Sequence, residues 1–400
     1  MKQIFLITLL FTSFLNINAQ NTEKVTDVPQ REDLSNLVSK LDKKIPEQVK
    51  LVGIGNVSVM AKESSDLSME IAKYLISEKK FRNLVLLEED WLLRPLNEYL
   101  TNKNAFDSTT VDSLVKISLV NSTSFTESFS SFAMWLKKYN LKHPDALVQL
   151  SGVVPDNLIP PAYFLATYVI PLDREYGVSL SKKWGVYTSH DNELAFNEIS
   201  IWYQQISNNT SKFKKYKQLL LQCAEDIDHN NIIRKGDTLK TAIDNKAGSM
   251  VELLLKKAEK RTILYGENEN ITTSQYVFKG DTISSLGRRL YAQLKNKYFT
   301  CLTDFADSAK VNIFDNQAGE LKLITIPGTV QTSKLYKEKP VLFWEGDSMA
   351  MKHYQPSSIF PIMDIERRII PDNKIPVVDA LFIINHLTPI SFLKRLRNLY

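Results

Sequence analysis

Apolar runs short enough to be buried strands alternate along this chain with apolar stripes at helical spacing, and that order restricts the fold more than any other feature. Leu67, Ile71, Tyr74 and Leu75 share one helix face between strand-like runs at 49–54 and 84–87. Phe125, Phe129, Phe132, Leu136 and Tyr139 mark another helix, ending near Asn140 ahead of a run at 147–150. The pattern returns after the middle of the chain. A helix over 242–260 feeds a strand at 262–265, and Leu286, Leu290 and Leu294 precede a strand at 298–302. Shorter strand signals follow at 322–326, 341–344 and 377–384. Strand, helix, strand in this order closes into parallel pairs, and such sheets take ligands at the carboxyl ends of their strands. The expected class is α/β, a central mainly parallel sheet flanked by helices, with a largely helical middle subdomain.

The N-terminus has the layout of an export signal. Met1 and Lys2 give a short positive start, residues 4–15 an apolar core, and Ala19 a small residue at the cleavage point. That core is too short to span a bilayer, and no later stretch is long enough. The expected organisation is a signal peptide at 1–19, a linker and helix at 20–46, and one α/β domain at 47–400 with a helical insertion at about 191–260. The expected location is periplasmic or extracellular, without an integral membrane segment after cleavage.

Fifty basic and 45 acidic residues are interleaved, for a net charge of +5, with no extended cationic block. Nucleic acid is excluded as a partner on that pattern. Cys223 and Cys301 are the only cysteines, and their spacing leaves open whether they form a disulfide. A small-molecule ligand is the partner the strand ends suggest, with no cofactor and no metal. Glu88, Asp90, Glu267 and Glu269 offer hard oxygen atoms, yet they lie in distant segments without a ligand spacing.

Two strand runs end in acidic and amide residues: Glu88, Glu89 and Asp90 after Leu87, and Glu267, Asn268, Glu269 and Asn270 after Gly266. No histidine stands in either cluster or at 53–59. Gly53, Ile54, Gly55 and Asn56 read as a structural turn, since they lack the third glycine of a dinucleotide loop and the lysine of a phosphate loop. No Gly-x-Ser-x-Gly elbow is present, which sets aside a serine hydrolase. His143, His229, His353 and His386 read as structural or solvent-facing groups, His386 capping or lining the cleft.

Five segments in order resemble the erythromycin-esterase-like hydrolases. The family's Gly-Glu-x-x-His-Gly with a following glutamate is similar to Gly55, Asn56, Val59 and Glu63, where the motif glutamate is Asn56 and its histidine Val59. Phe81 through Trp91 resembles its strand with an acidic end, with Glu88 in the place of the pocket glutamate and Glu89 the alternative. Trp135, Leu136, Lys137, Tyr139 and Asn140, with Gly152 beyond, resemble its Trp-Leu-Arg-x-Tyr-Asn helix end. His190, Asp191, Ala195 and Asn197 are similar to an Arg-Asp-x-x-Met-Ala-x-Asn helix, His190 replacing the arginine. Tyr265 through Asn270 resembles Trp-Ala-His-Asn-x-His, with Asn268 kept and both histidines gone.

The resemblance implies a hydrolase fold whose intact members use histidine and glutamate to activate water against an ester or lactone. Here Asn56 can orient water but cannot usefully take its proton, and Val59 can do neither. The expectation is a catalytically degenerate protein that keeps a ligand-binding or envelope-associated role. The alternative is hydrolysis by a repurposed carboxylate pocket, with Glu88, Glu267 and Asp191 as catalytic groups. Asn56, Glu63, Glu89, His190, Asn197, Asn268 and Asn270 are the expected pocket or ligand-binding residues.

Overall fold

The computed structural model describes residues 38–42, 44–119, 126–154, 174–175, 178–179, 239–278, 280–315, 320–329, 341–345, 355–359, 367–370 and 377–391. Two compact units are present, one of 8–153 and 251–400, the other of 1–7 and 154–250. The sheet and the site belong to the first. In the second, the described residues are Val154, 174–175, 178–179 and the first part of one helix, Leu239–Lys257.

The chain forms strands β1 (Leu51–Asn56), β2 (Asn83–Leu86), β3 (Gln149–Gly152), β4 (Thr262–Glu267), β7 (Tyr298–Asp315) and β11 (Ala380–Leu387), all parallel to their neighbours among these six. Their order is β3-β2-β4-β1-β7-β11, and β9 (Val341–Glu345) adds an antiparallel edge beside β11. Between them in sequence, β5 (Gln275–Phe278) pairs with β6 (Asp281–Ser284) on one edge and β10 (Arg367–Ile370) on the other as a small antiparallel sheet. The expected class, a mainly parallel sheet flanked by helices, is the one observed.

Helix α1 (Lys62–Ser77) buries Leu67, Ile71 and Leu75, the stripe that its sequence spacing predicts. Helices α2 (Asp90–Thr101) and α3 (Ser108–Ser118) follow β2, and α4 (Glu127–Lys142) buries Phe129, Phe132 and Leu136. Asp107 starts α3 by accepting from the amides of Thr109 and Thr110, and Thr126 starts α4 by accepting from Phe129. The second half of the unit adds α5 (Leu239–Lys257), α6 (Asn268–Ile271) and α7 (Leu286–Leu294). No helix among the described residues is long and apolar enough to cross a membrane.

Two expectations change. The predicted strand at 298–302 runs on to Asp315, and its far half pairs with β8 (Glu320–Pro327). Ser308 and Ala309 pair with β11 on one edge and with β8 on the other, so β8 stands on the side of β7 that β1 occupies lower down. The hairpin therefore rises past the carboxyl end of β1.

The second correction concerns Gly53–Asn56, which is not a turn but the second half of β1, fully buried and paired residue for residue with β4 and, through Gly55, with β7. Its glycines serve packing. A Cβ at Gly53 would lie 2.6 Å from Ile271 Cγ2, and one at Gly55 would lie 2.6 Å from Asn268 Oδ1. Gly266, paired with Gly55, would bring a Cβ to 2.3 Å from Leu87. Missing side chains on this face let α6 settle directly onto the sheet.

Candidate functional site

The register brings the two acidic strand ends side by side. Leu86 pairs with Tyr265 and Asn56 with Glu267, so Glu267 closes β4 beside Asn56, and Glu88 lies in the bend two residues past the end of β2 on the other side of β4. Neighbouring strands are about 4.8 Å apart, which makes Glu267 and Asn56 neighbours on adjacent strands. Both carboxylates act on the buried Tyr265 phenol. Burial is the main cause that pushes its pKa up to about 12, and the charges of Glu267 and Glu88 add to the rise. Hydrogen bonds from Asn56 and Ser65 oppose it.

The turn that carries Glu88 is fixed from the next strand. Val153 N–H donates to Glu88 O at 2.9 Å, and Gly152 N–H donates to Asp90 Oδ1 at 3.0 Å. Asp90 also accepts from Arg94 Nε at 3.2 Å and lies 3.9 Å from Lys257 Nζ. Asp90 is thus committed to the start of α2. Glu89 takes the N-cap position of that helix without a side-chain cap bond, and both Glu88 and Glu89 are half-buried.

Asn56 is fully buried, and its amide is spent inside the protein. Nδ2 donates to Ser65 Oγ at 3.2 Å and to Tyr265 Oη at 3.1 Å, while Oδ1 accepts from Ser58 N–H at 3.1 Å. Val59, in the place of the resembling family's histidine, is an apolar wall. It lines a pocket of about 10 Å³ with Met69, Phe129, Ser65 and Tyr265, room for no more than one water. Glu63 gives both carboxylate oxygens to Thr388, whose N–H lies at 2.7 Å, and so ties α1 to the chain leaving β11.

Asn268 is fully buried and donates to Thr303 O at 2.8 Å and Ser357 O at 2.7 Å. Glu269 is buried and accepts from the Ser358 hydroxyl. Asn270 donates to Glu267 Oε2 at 3.4 Å. His190, Asp191 and Asn197 lie outside the described residues, as do the signal segment 1–19, most of the linker, Cys223 and the insertion up to residue 238. Cys301 is a buried free thiol with its pKa raised, chiefly by burial.

Sequence reasoning missed two groups. Asp304 is fully buried on β7, with Oδ1 accepting from Phe305 N–H at 2.8 Å and Oδ2 from Ser357 N–H at 2.9 Å. Thr303 Oγ1 accepts from Val57 N–H at 3.0 Å. Both sit in an unbroken strand run without a motif, and only a carboxylate amid apolar neighbours signals them. His386 is a solvent-facing, hydrogen-bonded group, one of the readings its place allows. It is half-exposed, with Nδ1 3.1 Å from Asp307 and 3.2 Å from Ser308 Oγ, three strand positions from β4, or about 14 Å. Serine and aspartate share one ring nitrogen there, which is not the relay geometry of a hydrolytic triad. His143 stacks on Tyr139 after α4, at the start of the connection to β3. No cluster of three or more metal-ligating side chains occurs among the described residues.

No family model and no curated protein matches the sequence. Solved structures do match in fold. A Bacillus cereus protein is 17% identical with a TM-score of 0.67, over 90% of this chain and 94% of that one. A succinoglycan biosynthesis protein is 14% identical with a TM-score of 0.64, over 98% and 100%. An erythromycin esterase mutant in its open conformation is 16% identical with a TM-score of 0.58, over 90% and 96%. The likeness to the esterase lies in the fold. At these identities, activity does not follow from it.

Proposed function

We propose that this chain is an exported ligand-binding protein on an erythromycin-esterase-like fold, without histidine-dependent ester hydrolysis. One observation carries the reading: the Asn56 amide is consumed by Ser65, Tyr265 and Ser58, and Val59 beside it is a wall of an apolar pocket. Among the described residues, the side chains that line this pocket include no carboxylate or imidazole to take a water's proton. Ligand contact falls to Glu88 and Glu267, half-buried acceptors that suit a neutral or cationic small molecule with hydroxyl or amine donors. Export rests on the layout of residues 1–19, and the exported chain should begin at Gln20 when its mass is measured.

The test is a panel of small esters and macrocyclic lactones, read by melting shift and product formation. Saturable stabilisation without product is expected, and Glu88→Gln or Glu267→Gln should weaken binding about tenfold, the worth of one lost charge-assisted hydrogen bond. A second reading, hydrolysis by the two carboxylates, is favoured by their joint influence on Tyr265. Turnover abolished by either substitution would establish it and overturn the first.

A further inference from the structure

The other half of the strand-end edge, on β1 and β7, is covered by the chain itself. Residues 355–359 cross it, held through their main-chain groups by two buried side chains and one backbone carbonyl. Asp304 Oδ2 accepts from Ser357 N–H at 2.9 Å and Asn268 Nδ2 donates to Ser357 O at 2.7 Å, so both main-chain groups of one residue are read. Two residues on, Ile359 N–H donates to Val57 O at 2.8 Å. Pro356 and Ile359 are buried, and the Ser358 hydroxyl donates to Glu269. We infer that Val57, Asn268, Glu269 and Asp304 form a groove that recognises an extended, serine-containing peptide, occupied in cis by Gln355–Ile359.

The groove is prepared independently of its occupant. Asn268 is anchored by Thr303 O at 2.8 Å, and Asp304 by Phe305 N–H at 2.8 Å. The seat is also imperfect. Asn268 Oδ1 and Ser357 Oγ are buried with no hydrogen-bond partner among the described residues, and such atoms carry a desolvation cost. A covalently attached segment tolerates that cost because its effective concentration is on the order of millimolar. The same attachment keeps a free peptide out until the segment is loosened. The segment's main-chain groups are read by the Asp304 and Asn268 side chains and the Val57 carbonyl, and Glu269 supplies the preference for a hydroxyl. The groove goes beyond the ligand role of Glu88 and Glu267, although Asn268 and Glu269 follow Glu267 directly at the end of β4.

Hydrogen exchange on the full chain gives the first test. The Ser357 and Ile359 amides should exchange at least about a hundredfold more slowly than in a capped peptide of residues 355–359, as closed hydrogen bonds require. The second uses Ser357→Pro, which removes the proton given to Asp304 and leaves the groove intact. That variant should take up the capped peptide at least about tenfold more tightly than wild type. Exchange at the free-peptide rate at both amides in wild type overturns the inference, and does so even if the variant does not fold. A folded Ser357→Pro chain that binds the peptide no better than wild type overturns it as well.

Discussion

Lys137→Met should lower unfolding stability by about 3 kcal/mol, the sum of charge-assisted hydrogen bonds lost less the relief of an ammonium taken out of the interior. Lys137 is fully buried on α4 and donates to Tyr99 O at 2.7 Å, Asn102 O at 2.9 Å and Asn102 Oδ1 at 2.9 Å. Its ammonium also lies 4.6 Å from the centre of the Tyr99 ring. These acceptors close the carboxyl end of α2, where a positive charge also meets the negative end of the helix dipole. Burial moves the lysine pKa down, the cost set against those bonds. Methionine keeps the volume and leaves the carbonyls of Tyr99 and Asn102 without that donor. Urea unfolding measures the effect, and a loss below about 0.5 kcal/mol would mean that the bonds and the burial cost cancel.

Gly152→Ala should cost about 3 kcal/mol and also move the site, because a new Cβ there meets backbone that a rotamer change cannot relieve. The Cβ would stand 2.2 Å from Glu88 O, 2.5 Å from Asp90 N and 2.6 Å from Glu89 C. The turn that holds Glu88 must shift, and the bonds from Val153 and Gly152 into that turn must stretch. Ligand affinity at the carboxylate pair is therefore expected to fall together with stability. Gly248→Ala is the control. Among the described residues nothing lies within 4 Å of its Cβ position on α5, so alanine there should stabilise by about 0.5–1 kcal/mol through helix propensity. Equal effects at the two glycines would show that backbone entropy, not contact, governs Gly152.

The parallel sheet was legible because its strands are buried on both faces and read as continuous apolar runs, as 84–86 and 262–265 do. That the ends of β2 and β4 lie side by side was legible for the same reason, since parallel strand ends in one sheet face one side. Helix α2 was not, because it begins inside the acidic cluster and carries Pro95, which weakens a helical pattern. The far half of β7 escaped notice because Asp304, Asp307, Ser308 and Lys310 interrupt the apolar run that marks a buried strand. The motif from Trp135 to Asn140 was visible, but its role was not. Lys137 and Asn140 bind main chain, Asn140 reaching Leu100 O, Val148 O and Val148 N–H, and neither reaches a ligand group. Residues 355–359 carry no periodicity, so a segment held by its backbone left no trace in side-chain pattern.

All of this turns on whether the strand-end edge can take a proton from water. The most direct measurement incubates the purified protein with esters and lactones in ¹⁸O-labelled water and reads the acid product by mass spectrometry. The account predicts no label above the protein-free reaction from pH 5 to 9, a span of roughly two units either side of neutral chosen to cover a carboxylate base with a raised pKa. Label that appears only with the protein, and disappears in Glu88→Gln or Glu267→Gln, would contradict it.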